Sequence, residues 1–401
     1  MHRHREPLLT VVSQVFPPQV SGSAILLTNL LQNYPGKASA VVGYHKYVKT
    51  DPEFLRPCPT LNLRQPRIFS PLYVRLRNRF PNLIRYSLQK SLEKRLKQLG
   101  TTAVLAAYPF AELLIASFLA ARSLGLPFYA HMHDLWVDNI APGSTLAHFG
   151  AQWEPMILQQ ATRVLCMTEA MQAHYERKYG IETYLLPHTI SDQDCFTAPN
   201  GIRPVGMPKP TVLFVGSVDY DFNLDALKVL AHASEFLPSE YQLLFCTPLD
   251  LASLKNLGIC SSRLQARYVS RAQVQKLQSE AHVLIAPLSH KNCSESEVLT
   301  VFSTKLLEYL ISGRPIIAFG PRQSYHSVSA RKTGWGYVVD QDSPQELATA
   351  IVKVVTDDTL SAKLVQGALN EARSRNASYH AQRLQEWVLM DSRVLTDARQ
   401  S

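Results

Sequence analysis

No stretch of the 401 residues approaches the ~20 consecutive apolar side chains that a bilayer-spanning helix requires. The apolar run after the basic start, Leu8–Val12, is too short for a secretory signal. Cys-x-x-Cys pairs are absent, and the six cysteines (58, 166, 195, 246, 260 and 293) lie far apart. That spacing argues against a disulfide or zinc framework and for reduced thiols in a cytoplasmic protein. Short repeats and low-complexity tracts are missing too. Acidic residues are scarce in one place: between Arg64 and Lys97 ten Lys/Arg face the single acid Glu93. Across the chain 46% of residues are hydrophobic and 18% charged, with a net charge of +9. This is a globular composition whose basic excess calls for an anionic partner.

What is present is an alternation of strand-like apolar runs and helical segments, the pattern of parallel sheets with crossover helices. Strands are expected at 8–13, 38–42, 103–106, 128–131, 163–167 and 182–186, and helices at 23–32 and 82–99. Residues 198–210 hold four prolines and two glycines and read as a linker. The rhythm resumes with strands at 211–215, 242–246, 282–286, 315–319 and 336–339, a helix at 345–356 and a last helix at 377–394. At 401 residues two domains are the natural division. The expected fold is α/β, with two Rossmann-like, doubly wound parallel-sheet domains facing across a cleft. They would span 1–197 and 211–376, and 377–401 would return to the first.

Ligands in such sheets bind at the carboxyl ends of strands. Ser303 and Thr304 are placed to cap a helix stopped at Gly313, and a helix start with small hydroxyl residues is an anion site. Lys305 adds positive charge, and Glu308, one turn deeper, suits a ribose diol. An ordinary capped helix with a surface glutamate fits the same residues. At the other strand end of interest, Tyr129–Trp136, His131 and His133 should point to opposite sides. A His-x-His metal site lacks a third ligand of suitable spacing, and the triplets Asp192–Asp194 and Asp340–Asp342 read as turn or helix-start features; no metal site is assigned. The basic stretch with Phe69, Tyr73, Phe80 and Tyr86 suits a solvated helix face or an anionic lipid surface. No nucleic-acid motif accompanies it, so nucleic acid is not an expected partner.

An ordered set of segments resembles glycosyltransferase family 4. Leu307-Glu-Tyr-Leu-Ile-Ser-Gly-Arg-Pro-Ile-Ile-Ala318 is similar to that family's helix–strand signature. His282–Leu288, Phe214–Ser217, Ala161–Met171, Leu186–Ile190 and the loop Phe16–Ser23 resemble further family segments. The resemblance implies the GT-B fold and a retaining, metal-independent hexosyl transfer from a nucleoside-diphosphate sugar, with no cofactor. The acceptor would be a glycan or a lipid-linked sugar met by the first domain, in polysaccharide or glycolipid synthesis. It implies that His133 bonds the transferring sugar, with Asp134 available to orient it. The donor would meet Gly22, Gly216, Ser217, Val269, Pro287, Ser303, Thr304, Lys305 and Glu308. The basic stretch 64–97 would dock peripherally on the inner face of the plasma membrane.

Three positions depart from the family pattern. Thr300 stands where a first glutamate is usual, with Glu295 and Glu297 nearby. Ser217 and Phe222 replace a phosphate-binding arginine and lysine, for which Lys305 and Arg314 are the nearest substitutes in sequence. Ser21 replaces a glycine. The segment Gly216–Leu227 fits a family branch with the same changes, which favours an active enzyme. A catalytically inactive GT-B scaffold and a sugar-nucleotide epimerase remain as alternatives.

Overall fold

The computed structural model describes residues 6–43, 48–63, 81–197, 209–218, 221–291 and 294–400. Half of the basic stretch (64–80), most of the proline-rich segment (198–208) and Cys293 therefore lie outside the described residues. The chain forms two compact units, Met1–Thr189 with Ala377–Ser401, and Ile190–Asn376.

The first unit is built on seven parallel strands: β1 (Leu8–Ser13), β2 (Lys37–Val42), β3 (Thr60–Asn62), β4 (Ala103–Tyr108), β5 (Phe128–Met132), β6 (Arg163–Cys166) and β7 (Thr183–Leu185). Their order is β3-β2-β1-β4-β5-β6-β7. β1 and β4 are almost wholly buried, and their largely apolar sequences are what strands covered by helices on both faces require. The sheet order reverses between β1 and β4, and the crevice at such a reversal is where doubly wound sheets take ligands. The C-terminal helix Ala377–Gln400 packs on this unit. Its Asp391 takes Arg163 through two 2.8 Å bonds and the Tyr129 hydroxyl at 2.7 Å.

The second unit repeats the plan with β8 (Thr211–Val215), β9 (Gln242–Cys246), β10 (Leu264–Arg267), β11 (Val283–Pro287), β12 (Ile316–Phe319) and β13 (Tyr337–Val339). The order is β10-β9-β8-β11-β12-β13, and the reversal falls between β8 and β11. The segment after Thr189 belongs here and not to the first unit. Ile190 N–H donates to Arg375 O at 2.9 Å, and the Cys195 thiol lies 3.4 Å from Ala372 O. Asp192–Asp194 opens the short helix Asp192–Thr197, started by the Ser191 hydroxyl bonded to Asp194 N at 3.2 Å. The triplet is thus a helix start.

Candidate active site

In the first unit the loop after β1 leads into the helix Gly22–Gln32. Ser21 is its N-cap, accepting Ala24 N–H at 3.1 Å, so the serine that departs from the family's glycine starts this helix.

The histidine geometry differs from the sequence expectation. His131 and His133 do not diverge: their ring centroids are 4.4 Å apart, with His133 Nε2 3.2 Å from His131 Nδ1. Strand alternation ends at Met132 because Leu135 and Trp136 turn inward, 0% and 1% exposed, and Trp136 stacks on Tyr108. The bend carries His133 back onto its neighbour. Its Nδ1 lies 2.9 Å from Ser23 Oγ, and His131 Nε2 lies 3.2 Å from Leu186 O. Both ring nitrogens of His133 are therefore used by Ser23 and His131. Asp134 is exposed, and the ring nitrogens of His133 are oriented by Ser23 and His131.

The segment after His133 is fixed by Glu154, a fully buried carboxylate in the helix Thr145–Gln160. It accepts from Val137 N at 3.2 Å, Lys178 Nζ at 2.9 Å, and the hydroxyls of Tyr175 and Tyr179. Lys178 also reaches Asp138 at 2.6 Å, and the bonds from His174 and Lys178 hold the Asp138 carboxyl down at about 2. Sequence reading found none of this, because the partners come from three separated segments without a motif.

In the second unit, the expected donor residues stand along the carboxyl edge of the sheet. Gly216 and Ser217 follow β8, Pro287 ends β11 and Val269 follows β10. The Asn223 amide donates to Ser217 O at 3.0 Å and fixes the turn after β8. The helix Thr304–Leu310 is bound to β8 through the buried Tyr309, whose hydroxyl accepts Val215 N–H at 2.8 Å. Glu308, one residue earlier, accepts from Gln278 Nε2 at 3.2 Å and lies 3.6 Å from Lys305 Nζ. Its side chain is 18% exposed.

Ser303 is the N-cap residue by position, but its side chain makes no capping bond. Its own N–H donates to His326 Nε2 at 3.2 Å, a contact with no sequence signal. Two suggested substitutes fall away. Arg314 precedes β12, at the amino end of the sheet, and is buried with its Nε on Ser279 O at 2.6 Å. Glu297 is consumed by a capping box with Ser294. Thr300 is buried and bonds Ser296 O, while Glu295 stays exposed. Among the described residues no group of three His, Cys, Asp or Glu is gathered as for a metal ion.

Burial pushes His131 in the first unit and His326 in the second down to about 4 from the usual 6.5. The unfolded chain then binds more protons between those values, so stability is full above about pH 6.5 and falls as the pH drops toward 4. Each ring contributes roughly 3 kcal/mol over that window. Urea midpoints at pH 7 and pH 4.5 should show this loss, and equal midpoints would contradict it.

Two doubly wound parallel sheets, one in each unit, are the architecture of the GT-B fold. The Glycosyltransferase Family 4 model matches residues 37–193, and the Glycosyl transferases group 1 model matches residues 209–357. The chain belongs to glycosyltransferase family 4. No curated protein matches it in sequence. Among solved structures it is similar to sucrose-phosphate synthase from Thermosynechococcus elongatus, with a TM-score of 0.68 at 16% identity over 95% of this chain and 98% of that one. Anabaena HepE in complex with UDP gives 0.66 at 15%, over 94% and 98%. The lipopolysaccharide outer core galactosyltransferase WaaB gives 0.64 at 14%, over 96% and 99%. At these identities the likeness is one of fold.

Proposed function

We propose that the protein transfers a hexose, with retention, from a nucleoside-diphosphate sugar to a glycan or lipid-linked acceptor. The observation that carries this reading is the placement of Glu308. Tyr309 binds its helix to the end of β8, beside Gly216 and the sheet reversal, and Gln278 and Lys305 hold the partly buried Glu308 carboxylate. A carboxylate so held suits two vicinal hydroxyls of a ribose. The base would lie by Val269, Pro287 and the 73%-exposed Tyr268. The diphosphate would meet the first turn of the Thr304–Leu310 helix, which the Ser303 side chain leaves uncapped, and Lys305. These groups oppose the negative charge that grows on the leaving diphosphate, a role that requires no metal. That HepE has been captured with UDP-glucose supports a donor of this kind.

A thermal-shift screen with UDP-, GDP- and ADP-sugars tests the reading, since a ligand that binds the native state raises Tm. One base series should stabilise the chain. No shift with any of them would favour the inactive scaffold.

We also propose peripheral contact with anionic lipid through the helix Pro81–Leu99. Tyr86, Lys90, Lys94 and Lys97 form an exposed stripe, while Leu92 and Leu96 are fully buried. The assignment of the acceptor to the lipid phase depends on this stripe. Co-sedimentation with phosphatidylserine vesicles that falls with salt is the expected result, and equal binding to neutral vesicles would exclude it. No helix among the described residues is long and apolar enough to cross a membrane.

A further inference from the structure

Ser23 stands half-buried in the first turn of the Gly22–Gln32 helix, at the carboxyl edge of the first sheet. It begins a chain of three hydrogen bonds: Ser23 Oγ to His133 Nδ1 at 2.9 Å, His133 Nε2 to His131 Nδ1 at 3.2 Å, and His131 Nε2 to Leu186 O at 3.2 Å. The last partner sets the direction of all three. A carbonyl can only accept, so His131 carries its proton on Nε2 and its Nδ1 is bare. That bare nitrogen must receive, so His133 carries its proton on Nε2 as well. The Nδ1 of His133 is then bare in turn, and the Ser23 hydroxyl must donate to it.

Burial enforces the neutral rings this direction needs. It pushes His131 down to about 4 and His133 well below the ordinary range, with neighbouring His188 opposing a charge on His133 further. The commitment has a consequence for ligands. A free hydroxyl serves donors and acceptors alike. Here the hydrogen is directed inward and only lone pairs face outward.

We propose that Ser23 Oγ is a subsite that accepts a hydrogen bond from a sugar hydroxyl and selects this neutral group over a phosphate or carboxylate. His133 and His131 are positioning residues that hold the serine in this state. An anionic oxygen brought to the same point meets lone pairs with no hydrogen between them. The proposal rests on the transferase reading and narrows it. A sugar hydroxyl meets Ser23 Oγ, and His133 acts on that sugar through Ser23. The sugar hydroxyl belongs to the donor or to the acceptor.

Two measurements decide. Long-range proton–nitrogen correlation spectra of the full chain labelled with 15N-histidine, assigned with His131→Gln and His133→Gln, report the tautomers. Both rings are expected as Nε2–H at neutral pH. An Nδ1–H ring at His133 would turn the serine hydrogen outward and overturn the proposal. Binding and turnover of Ser23→Ala and Ser23→Thr then identify the hydroxyl. If it is the donor's, Ser23→Ala weakens UDP-glucose about five- to tenfold, leaves UDP unchanged, and Thr restores the loss. If it is the acceptor's, both nucleotide affinities stay and the acceptor KM rises by the same factor with kcat nearly constant. An equal loss of UDP affinity would place Ser23 on the phosphates and overturn the proposal, as would no change in either assay. A chain that binds no nucleotide sugar would remove the transferase reading by itself, and the tautomer spectrum would still judge the serine.

Discussion

Replacing Glu308 by alanine should weaken the nucleotide-sugar donor roughly 10- to 100-fold while leaving the protein folded. The size follows from charge-assisted hydrogen bonds, worth about 1.5–3 kcal/mol, against 1.4 kcal/mol per tenfold in affinity. Loss of the carboxylate removes an acceptor from Gln278 and an ion partner from Lys305. Lys305 is exposed enough to be solvated instead, so the stability cost should stay near 1–2 kcal/mol. Because the ribose is common to donor and product, the free nucleoside diphosphate should weaken in parallel with the sugar nucleotide. Glu308→Gln should fall between the two. Calorimetric titration of the three proteins checks this, and an unchanged Kd in the alanine variant would remove the ribose assignment.

Glu154→Ala should produce the largest loss of stability, about 3–5 kcal/mol. The carboxylate is fully buried and joins Val137, Tyr175, Lys178 and Tyr179. Its removal leaves the Lys178 charge with Asp138 alone and buried hydroxyls without an acceptor. The segment it fixes begins four residues after His133. Transfer should therefore fall even at temperatures where the variant remains folded. Urea denaturation measures the first effect, and a loss below 1 kcal/mol would show that the cluster is not the anchor described.

Much of the fold was legible because its central strands are covered on both faces and so appear as apolar runs. β1 and β8 could be placed residue for residue. The strands that escaped, β3 and β10, lie at sheet edges. Thr60-Leu-Asn62 and Leu264-Gln-Ala-Arg267 are partly exposed there and need no apolar run. The site was legible only as a set of positions. Gly216 and Pro287 could be placed at strand ends because each follows or closes an apolar run, and Glu308 could be placed in a helix between Ser303 and Gly313. Their partners could not. Ser23 and His133 are 110 positions apart, and Gln278 and Glu308 are 30 apart. Proximity in sequence also misled: Arg314 is six residues from Glu308, but it is buried with its Nε on Ser279 O. His131 and His133 show the limit of periodicity, which fails wherever burial of later residues bends the chain.

The central claim is that the carboxyl edge of the second unit holds the donor nucleotide. Amide hydrogen exchange with saturating UDP, GDP or ADP tests it most directly. The effective nucleotide should slow exchange at Gly216, Ser217, Val269 and 304–308. Protection confined to the first unit, or none along that edge with a nucleotide known to bind, would contradict the account.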